Sequence, residues 1–411
     1  MFLVFNSDVS RKLWHNVRQI KREISSCLSS NTVDLIDRKA NLTMTELYIG
    51  LISGTSADGI DAALVEFQHD KPELLATHYT PYHPALREKI LALCTPGENE
   101  IQRMGELDVL LGDEFAKATN QLLQKNSLPA DNINAIGSHG QNIRHSPRGE
   151  YRYTIQIGDP NIIATKTGIT TVADFRRKDV ALGGQGAPLV PAFHQCVFGK
   201  SKSNQVIVNI GGIANITVLT PSSTNVTGYD TGPGNALMDA WIQQHQQSPH
   251  DVRGQWGAQG TTSSVLLKKL LSDPYFKLAA PKSTGREYFH LAWLQKYLNG
   301  LTISPIDIQA TLAEFTATTI LNAISQHFDH GDIFVCGGGA HNDFLMQRLQ
   351  LLGENKFKIT STKQLGIDPD WVEAMAFAWL ARQTLHHRTG NLPSVTGANS
   401  AAILGGVYFA K

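Results

Sequence analysis

The sequence predicts an α/β fold built as two related domains, and three segments carry that prediction. Residues 48–67, YIGLISGTSADGIDAALVEF, read as two apolar strands joined by a turn of small and hydroxylated residues. Residues 205–220, QVIVNIGGIANITVLT, repeat the layout: a β-branched strand runs into Gly211-Gly212 and leaves through a second apolar strand. Residues 333–349, IFVCGGGAHNDFLMQRL, give a short buried strand, three glycines and a helical pattern. Two strand-turn-strand units far apart in one chain imply two domains of similar build, each presenting a glycine hairpin.

The remaining elements follow in order. Residues 44–200 read as the first α/β domain, with strands at 47–53 and 60–67, helices near 84–93 and 101–125, and strands at 133–138 and 170–173. Residues 201–411 repeat the scheme, with strands near 206–210, 213–219 and 333–336. Its helices fall near 235–247, 262–271, 289–299, 308–328, 342–351 and 371–388, and Pro, Gly and Ser clusters at 248–262 and 281–286 mark loops. Residues 1–43 stand outside the pattern: they join MFLVF to a basic amphipathic stretch, RKLWHNVRQIKREISSCLSS. The apolar start is about five residues, short of the roughly 7 to 15 of a signal peptide. We assign this extension no function.

Composition restricts the partners. A chain of 411 residues can bury two cores. Lys plus Arg and Asp plus Glu each number 36, so the net charge is zero and the basic footprint of a nucleic-acid binder is absent. Cys27, Cys94, Cys196 and Cys336 lie far apart with no C-x-x-C pair, which argues against a zinc site or a disulfide framework and fits a reducing cytoplasm. The strongest apolar run, residues 374–381, is far short of the about 20 residues that cross a bilayer.

The turn at 53–61, SGTSADGID, has the makings of a phosphate site. Gly54 and Gly59 allow backbone geometries and approaches that a Cβ blocks. Thr55 and Ser56 offer hydroxyls, and successive amides can form an anion nest. Asp58 and Asp61 repel a bare phosphate, so the site calls for a divalent cation, a water or a substrate hydroxyl between carboxylate and phosphate. An ordinary hairpin rich in turn residues is the alternative. The triple glycine Gly337, Gly338, Gly339 is neither a Walker A loop nor G-x-G-x-x-G, so nucleotide binding needs another scaffold. Asp174 directly follows the strand ITTVA, where parallel sheets present functional side chains. It is a candidate general base, with a salt bridge to Arg176 or Arg177 as the alternative.

In this combination the chain resembles the sugar kinase, actin and heat-shock ATPase superfamily and, within it, the anhydro-N-acetylmuramic acid kinase family. The likeness runs from Met44 to the C-terminus. It rests on SGTSADGID at 53–61, GSHGQNIRH at 137–145, IQIGDP at 155–160, VADFRRKD at 172–179, GGQGAPLVP at 183–191, NIGGIAN at 209–215 and GYDTGPGNALMD at 228–239. Ala57 and Asn142 depart from the family's usual residues, and neither change removes a reacting group.

The resemblance implies two ribonuclease H-like domains with ATP and substrate in the cleft between them, and ATP with Mg²⁺ as cofactors. It implies a cytoplasmic kinase of peptidoglycan recycling that acts on 1,6-anhydro-N-acetylmuramic acid, with a homodimer as the assembly. Asp174 matches the family's base. Gly54, Thr55, Ser56, Ala57, Asp58, Gly59, Ile60 and Asp61 then embrace the nucleotide phosphates together with Gly211, Gly212, Asp230, Thr231, Gly232 and Gly234. Gly337, Gly338 and Gly339 meet the adenosine. His139, Gln141, Asp159 and Glu373 become sugar contacts, although a strand-to-loop hydrogen-bond pair, an N-cap and a helix-dipole contact remain open for them. Arg144, Arg176 and Arg177 are candidates for the lactyl carboxylate. A kinase for another anhydrosugar such as levoglucosan, or an ATP-driven binding module, are the alternatives.

Overall fold

The computed structural model describes residues 45–68, 70–199, 203–221 and 226–411. The expectations for residues 1–43 lie outside them. The first half of the described residues holds six strands: β1 (Glu46–Ser53), β2 (Gly59–Gln68), β3 (Lys71–Pro81), β4 (Ala135–Ser146), β5 (Tyr153–Ile157) and β6 (Thr171–Ala173). The pairs β1/β2 and β2/β3 are antiparallel, whereas β4 runs parallel to β1 and β6 parallel to β4. The order is therefore β3-β2-β1-β4-β6, with β5 paired to the far end of β4.

A second sheet repeats this order with β7 (Gln205–Ile210), β8 (Ile213–Leu219), β9 (Thr227–Pro233), β10 (Gly331–Cys336) and β11 (Phe357–Ser361). Again the first three strands are antiparallel and the last two parallel to the first. This doubled arrangement is the ribonuclease H-like design that the family resemblance implies. All six residues of β7 are buried, as a central strand covered on both faces requires. The chain closes with β12 (Gly406–Tyr408), antiparallel to β6.

Each sheet has a core of its own, and a third core joins them. The joining core combines Ile52 and Val65 of the first sheet with Ile207 and Phe334 of the second, around the apolar helix Val372–Leu385. Residues Glu46–Lys411 accordingly form one compact unit. The segments 44–200 and 201–411 carry one sheet each, except that β12 and the helix Val372–Leu385 pack on the first sheet.

Two glycines let that helix lie against β1 and β4. A Cβ on Gly50 would overlap the carbonyl oxygen of Ala374, and one on Gly137 that of Phe377. Backbone cannot rotate away as a side chain can. We predict that Gly50→Ala lowers unfolding free energy by about 1–3 kcal/mol or more, read as a shift in urea midpoint. Gly105, exposed in the helix Glu100–Lys125 with nothing near its ideal Cβ, is the control. Its change to Ala should instead stabilise by roughly 0.5–1 kcal/mol.

The third segment has the expected strand, Gly331–Cys336, and the expected helix, with one added feature between them. Gly338 and Gly339 open a 3-10 turn, Gly338–His341, that precedes the helix Asp343–Leu352, whose N-cap is Asn342 with its Oδ1 accepting from the Leu345 N–H at 3.0 Å. The triple glycine is thus not at the helix N-terminus. Among the described residues, no helix is long and apolar enough to cross a membrane.

Candidate active site

A cleft of about 890 Å³ is lined by the turns of both hairpins. In the first turn Ala57, not a glycine, takes the left-handed conformation, with φ 48° and its N–H donating to the Gly54 carbonyl at 3.1 Å. Ser56 Oγ donates to Asp58 Oδ1 at 2.8 Å, and Tyr79 and Arg87 anchor the carbonyls of Asp58 and Ser56 at 3.1 and 3.3 Å. Gly54 is open: its ideal Cβ would meet only Ser56 Oγ, at 3.8 Å. Gly59 serves a different end, because a Cβ there would strike the Tyr79 ring and the Thr80 carbonyl of β3. Ala57 and Ile60 are buried in the first sheet's own core.

The second turn meets the first. An ideal Cβ on Gly212 would have the Thr55 Cβ as its nearest neighbour, at 3.4 Å, so the two tips face each other. The string at 230–235 braces this turn. Gly234 and Ala236 donate N–H bonds to the Gly212 carbonyl at 2.9 and 3.1 Å, and Asn235 donates to Gly211 at 2.8 Å. Thr231 is buried and donates to the Ala214 carbonyl at 3.2 Å, while Gly232, at φ 144°, packs on Phe276. Gly337 and Gly338 reach the cleft, whereas Gly339 packs on Ile210. Ala57, Gly59, Ile60, Thr231, Gly232, Gly234 and Gly339 therefore support the cleft from behind rather than line it.

The polar wall between the sheets holds His139, Arg176, Asp230 and Glu373. Arg176 Nε donates to His139 Nε2 at 3.0 Å and its Nη1 to the Gly186 carbonyl at 2.8 Å. His139 Nδ1 therefore carries the imidazole proton. Burial and the Arg176 charge hold His139 far below its usual pKa, hence neutral. Burial raises the Glu373 carboxyl, opposed by Arg176 and by a hydrogen bond with Asn209. Asp230 Oδ2 accepts from the Thr284 N–H at 2.9 Å, and burial still pushes its pKa up to about 7.

Two expected sugar contacts are placed elsewhere. Gln141 follows Gly140, whose φ of 72° breaks the strand's alternation opposite an irregularity in β1. Its side chain turns to the first hairpin, where Oε1 accepts from Ser53 Oγ at 2.5 Å. Asp159 is the N-cap of the helix Pro160–Thr167, accepting from the Asn161 N–H at 2.8 Å, and lines neither the cleft nor the smaller cavity beside it.

That smaller cavity, about 200 Å³, is where Asp174 lies, and it meets the main cleft at His139. Asp174 is the N-cap of the helix Phe175–Ala181, at φ 61°, and its side chain makes no capping hydrogen bond to that helix's backbone. Asp174 Oδ2 pairs with Arg177, at 2.6 Å to Nη2 and 2.7 Å to Nε. Arg144 is engaged by Glu100 at 2.9 Å and by the Leu93 carbonyl at 2.6 Å.

Carboxylates gather at the first turn. Burial pushes Asp61 up to about 7, helped by the charges of Asp58, Glu373 and Asp370. Asp239, which the sequence reading did not single out, is raised to about 7 by burial. No lysine or arginine among the described residues pairs with Asp61. A Mg²⁺ held chiefly by phosphates needs one or two such hard oxygen ligands, and Asp58 and Asp61 fit that role. Among the described residues no group of three potential ligands stands ready by itself.

Comparisons with known proteins show which family the chain falls in. Anhydro-N-acetylmuramic acid kinase from Coxiella burnetii is 52% identical over 368 residues, covering 89% of this chain and 98% of that one. The enzyme of the same name from Shewanella pealeana is 53% identical over 362 residues, covering 88% and 98%. Solved structures match more loosely. Component A of (R)-2-hydroxyglutaryl-CoA dehydratase from Acidaminococcus fermentans has a TM-score of 0.43 and 10% identity, covering 81% of this chain and 96% of that one, which leaves the fold assignment to the strand order itself. The family model "Anhydro-N-acetylmuramic acid kinase" matches residues 46–410, and the chain belongs to that family of kinases.

Proposed function

We propose that this enzyme opens 1,6-anhydro-N-acetylmuramic acid with water and transfers the γ-phosphoryl group of ATP to O6, giving N-acetylmuramic acid 6-phosphate. The observation that carries the reading is the meeting of two glycine turns, Thr55 against Gly212, over a cleft that also holds Arg176 and Glu373. Backbone amides and hydroxyls of both turns suit a polyphosphate. The two halves act as domains that grip it from either side, with Gly337 and Gly338 on the adenosine side. Asp58 and Asp61 would hold Mg²⁺, which when bound would neutralise charge on the phosphates.

The sugar has no free 6-hydroxyl, since O6 is bridged to C1. Asp174 takes a proton from water, the water oxygen bonds to C1, and the C1–O6 bond breaks. O6 then bonds to the γ-phosphorus and ADP leaves, so that phosphoryl capture replaces the protonation a second carboxylic acid gives in glycoside hydrolysis. Arg177 orients the Asp174 carboxylate through its paired contacts. His139, neutral, and Arg176 stand at the wall where the cavities meet, and this reading sets the anomeric face of the sugar there. The expected product from Mg-ATP and ¹⁸O-water carries its label at C1, detected by mass spectrometry. Label in the phosphate, or ATP hydrolysis without a sugar product, overturns the mechanism.

A further inference from the structure

Four arginines line the main cleft among the described residues, and three are already engaged. Arg144 pairs with Glu100, Arg253 with Asp343 at 2.6 Å, and Arg176 is hydrogen-bonded to His139 and Gly186. Arg286 is different. Its Nε is buried and has no hydrogen-bond partner, and no ion pair reaches its guanidinium. Burial and the neighbouring Arg87 charge work against its own charge, which Asp239 and Asp58 help to sustain. A buried donor without a partner is costly, and such atoms in a cleft point to what is meant to fill it. Thr284 Oγ1, on the same loop and lining the same cleft, is a second buried atom without a partner.

The loop that carries both is held in place. The Thr284 N–H donates to Asp230 Oδ2 at 2.9 Å, and Ser283 Oγ donates to Gln185 Oε1 at 3.1 Å. Lys282 lies over the rings of Tyr275 and Tyr229, 4.7 and 5.6 Å from their centroids. The second half of the chain thus holds the loop that brings Arg286 into the cleft, within electrostatic reach of Cys94 and Asp58 of the first half.

We infer that Arg286, with Thr284 beside it, binds the lactyl carboxylate of the sugar. The inference rests on the reading given under Proposed function. Nucleotide phosphates have the two glycine turns and a metal ion to receive them, whereas the carboxylate is the sugar's single charge and needs a cation of its own. A guanidinium matches a carboxylate with two parallel N–H donors, and the contact strengthens where water is excluded. Arg286 is the cleft arginine free to make it.

Calorimetry on the full chain tests this, with R286Q and R286K titrated separately by 1,6-anhydro-N-acetylmuramic acid and by Mg-ADP. R286Q should bind the sugar roughly 10- to 100-fold more weakly, the loss of a hydrogen bond to a charged group, and Mg-ADP within about threefold of wild type. R286K, which keeps the charge and loses the fork, should fall between, with both variants melting as wild type does. Unchanged sugar affinity in R286Q, or a loss confined to the nucleotide or shared equally by both ligands, overturns the assignment. Failure of the wild-type chain to bind the sugar would instead remove the parent reading, and this inference with it.

Discussion

Asp174→Asn is expected to slow turnover by roughly 10²- to 10⁴-fold, the contribution of a positioned general base. Asparagine keeps the size and hydrogen-bonding capacity of the side chain and cannot take the proton from water. Nucleotide affinity should hold, because Asp174 lines the smaller cavity and the glycine turns line the cleft. The competing account, an ion pair with structural purpose only, now has a definite partner in Arg177, whose side chain is 67% exposed. Losing a pair so open to solvent costs about 0–1 kcal/mol. Turnover, Mg-ADP binding and thermal stability measured on one preparation separate the accounts. Near-normal turnover with a lower melting temperature retires the role of base.

Most of the frame was legible in the sequence, and what was not has physical causes. The strands that flank the two turns, and the helix at 84–93, stand out because their apolar residues recur at strand or helix spacing over enough length to exceed propensity noise. Strand β3, KPELLATHYTP, was not read: it is an edge strand whose burial alternates weakly and which opens on Lys71-Pro72. Strand β9 was not read either, although Asp230 and Gly232 pair with Asn215 and Ala214 of β8, with Thr231 at an irregularity between them. In the site, the string SGTSADGID located the first turn but not the division of labour within it. That Gly59 makes room for Tyr79, or that Ala57 bears the positive φ, depends on β3 and on backbone angles that composition does not encode. Arg286 carried no local signal at all. It sits in a loop of Pro, Ser and Gly, and only the engagement of the other cleft arginines by distant partners makes its isolation visible.

A second large effect is expected at Asp61. Its folded pKa of about 7 lies above the model-peptide value of 3.8, so between those values the folded protein retains a proton that the unfolded chain has released. Stability of the ligand-free enzyme should therefore fall as pH rises from about 4 to about 7, with the penalty fully present above 7. Asp61→Asn removes the charge that burial, Asp58, Glu373 and Asp370 disfavour. Part of Asp61 remains open to the cleft, which trims the effect by solvent screening. The variant should be more stable than wild type by on the order of 1–3 kcal/mol at pH 8, and equal to it near pH 4. Asp230 and Asp239, also raised by burial, add the same trend to both proteins and cancel in the difference. Turnover should move the opposite way, falling on the order of 10²-fold, which is the loss expected of the oxygen ligand to a phosphate-bound cation that we propose Asp61 to be. Mg-ADP should raise the wild-type melting temperature more at pH 8 than at pH 5, because at pH 5 the cation must displace a proton from Asp61, and this pH difference should largely vanish in the variant. A residue that merely fills the turn would leave turnover intact when its charge is removed. Gain in stability with loss of activity is the pattern of a carboxylate kept buried for the cation it receives, and an Asp61→Asn enzyme with wild-type turnover and an unchanged magnesium requirement would contradict it.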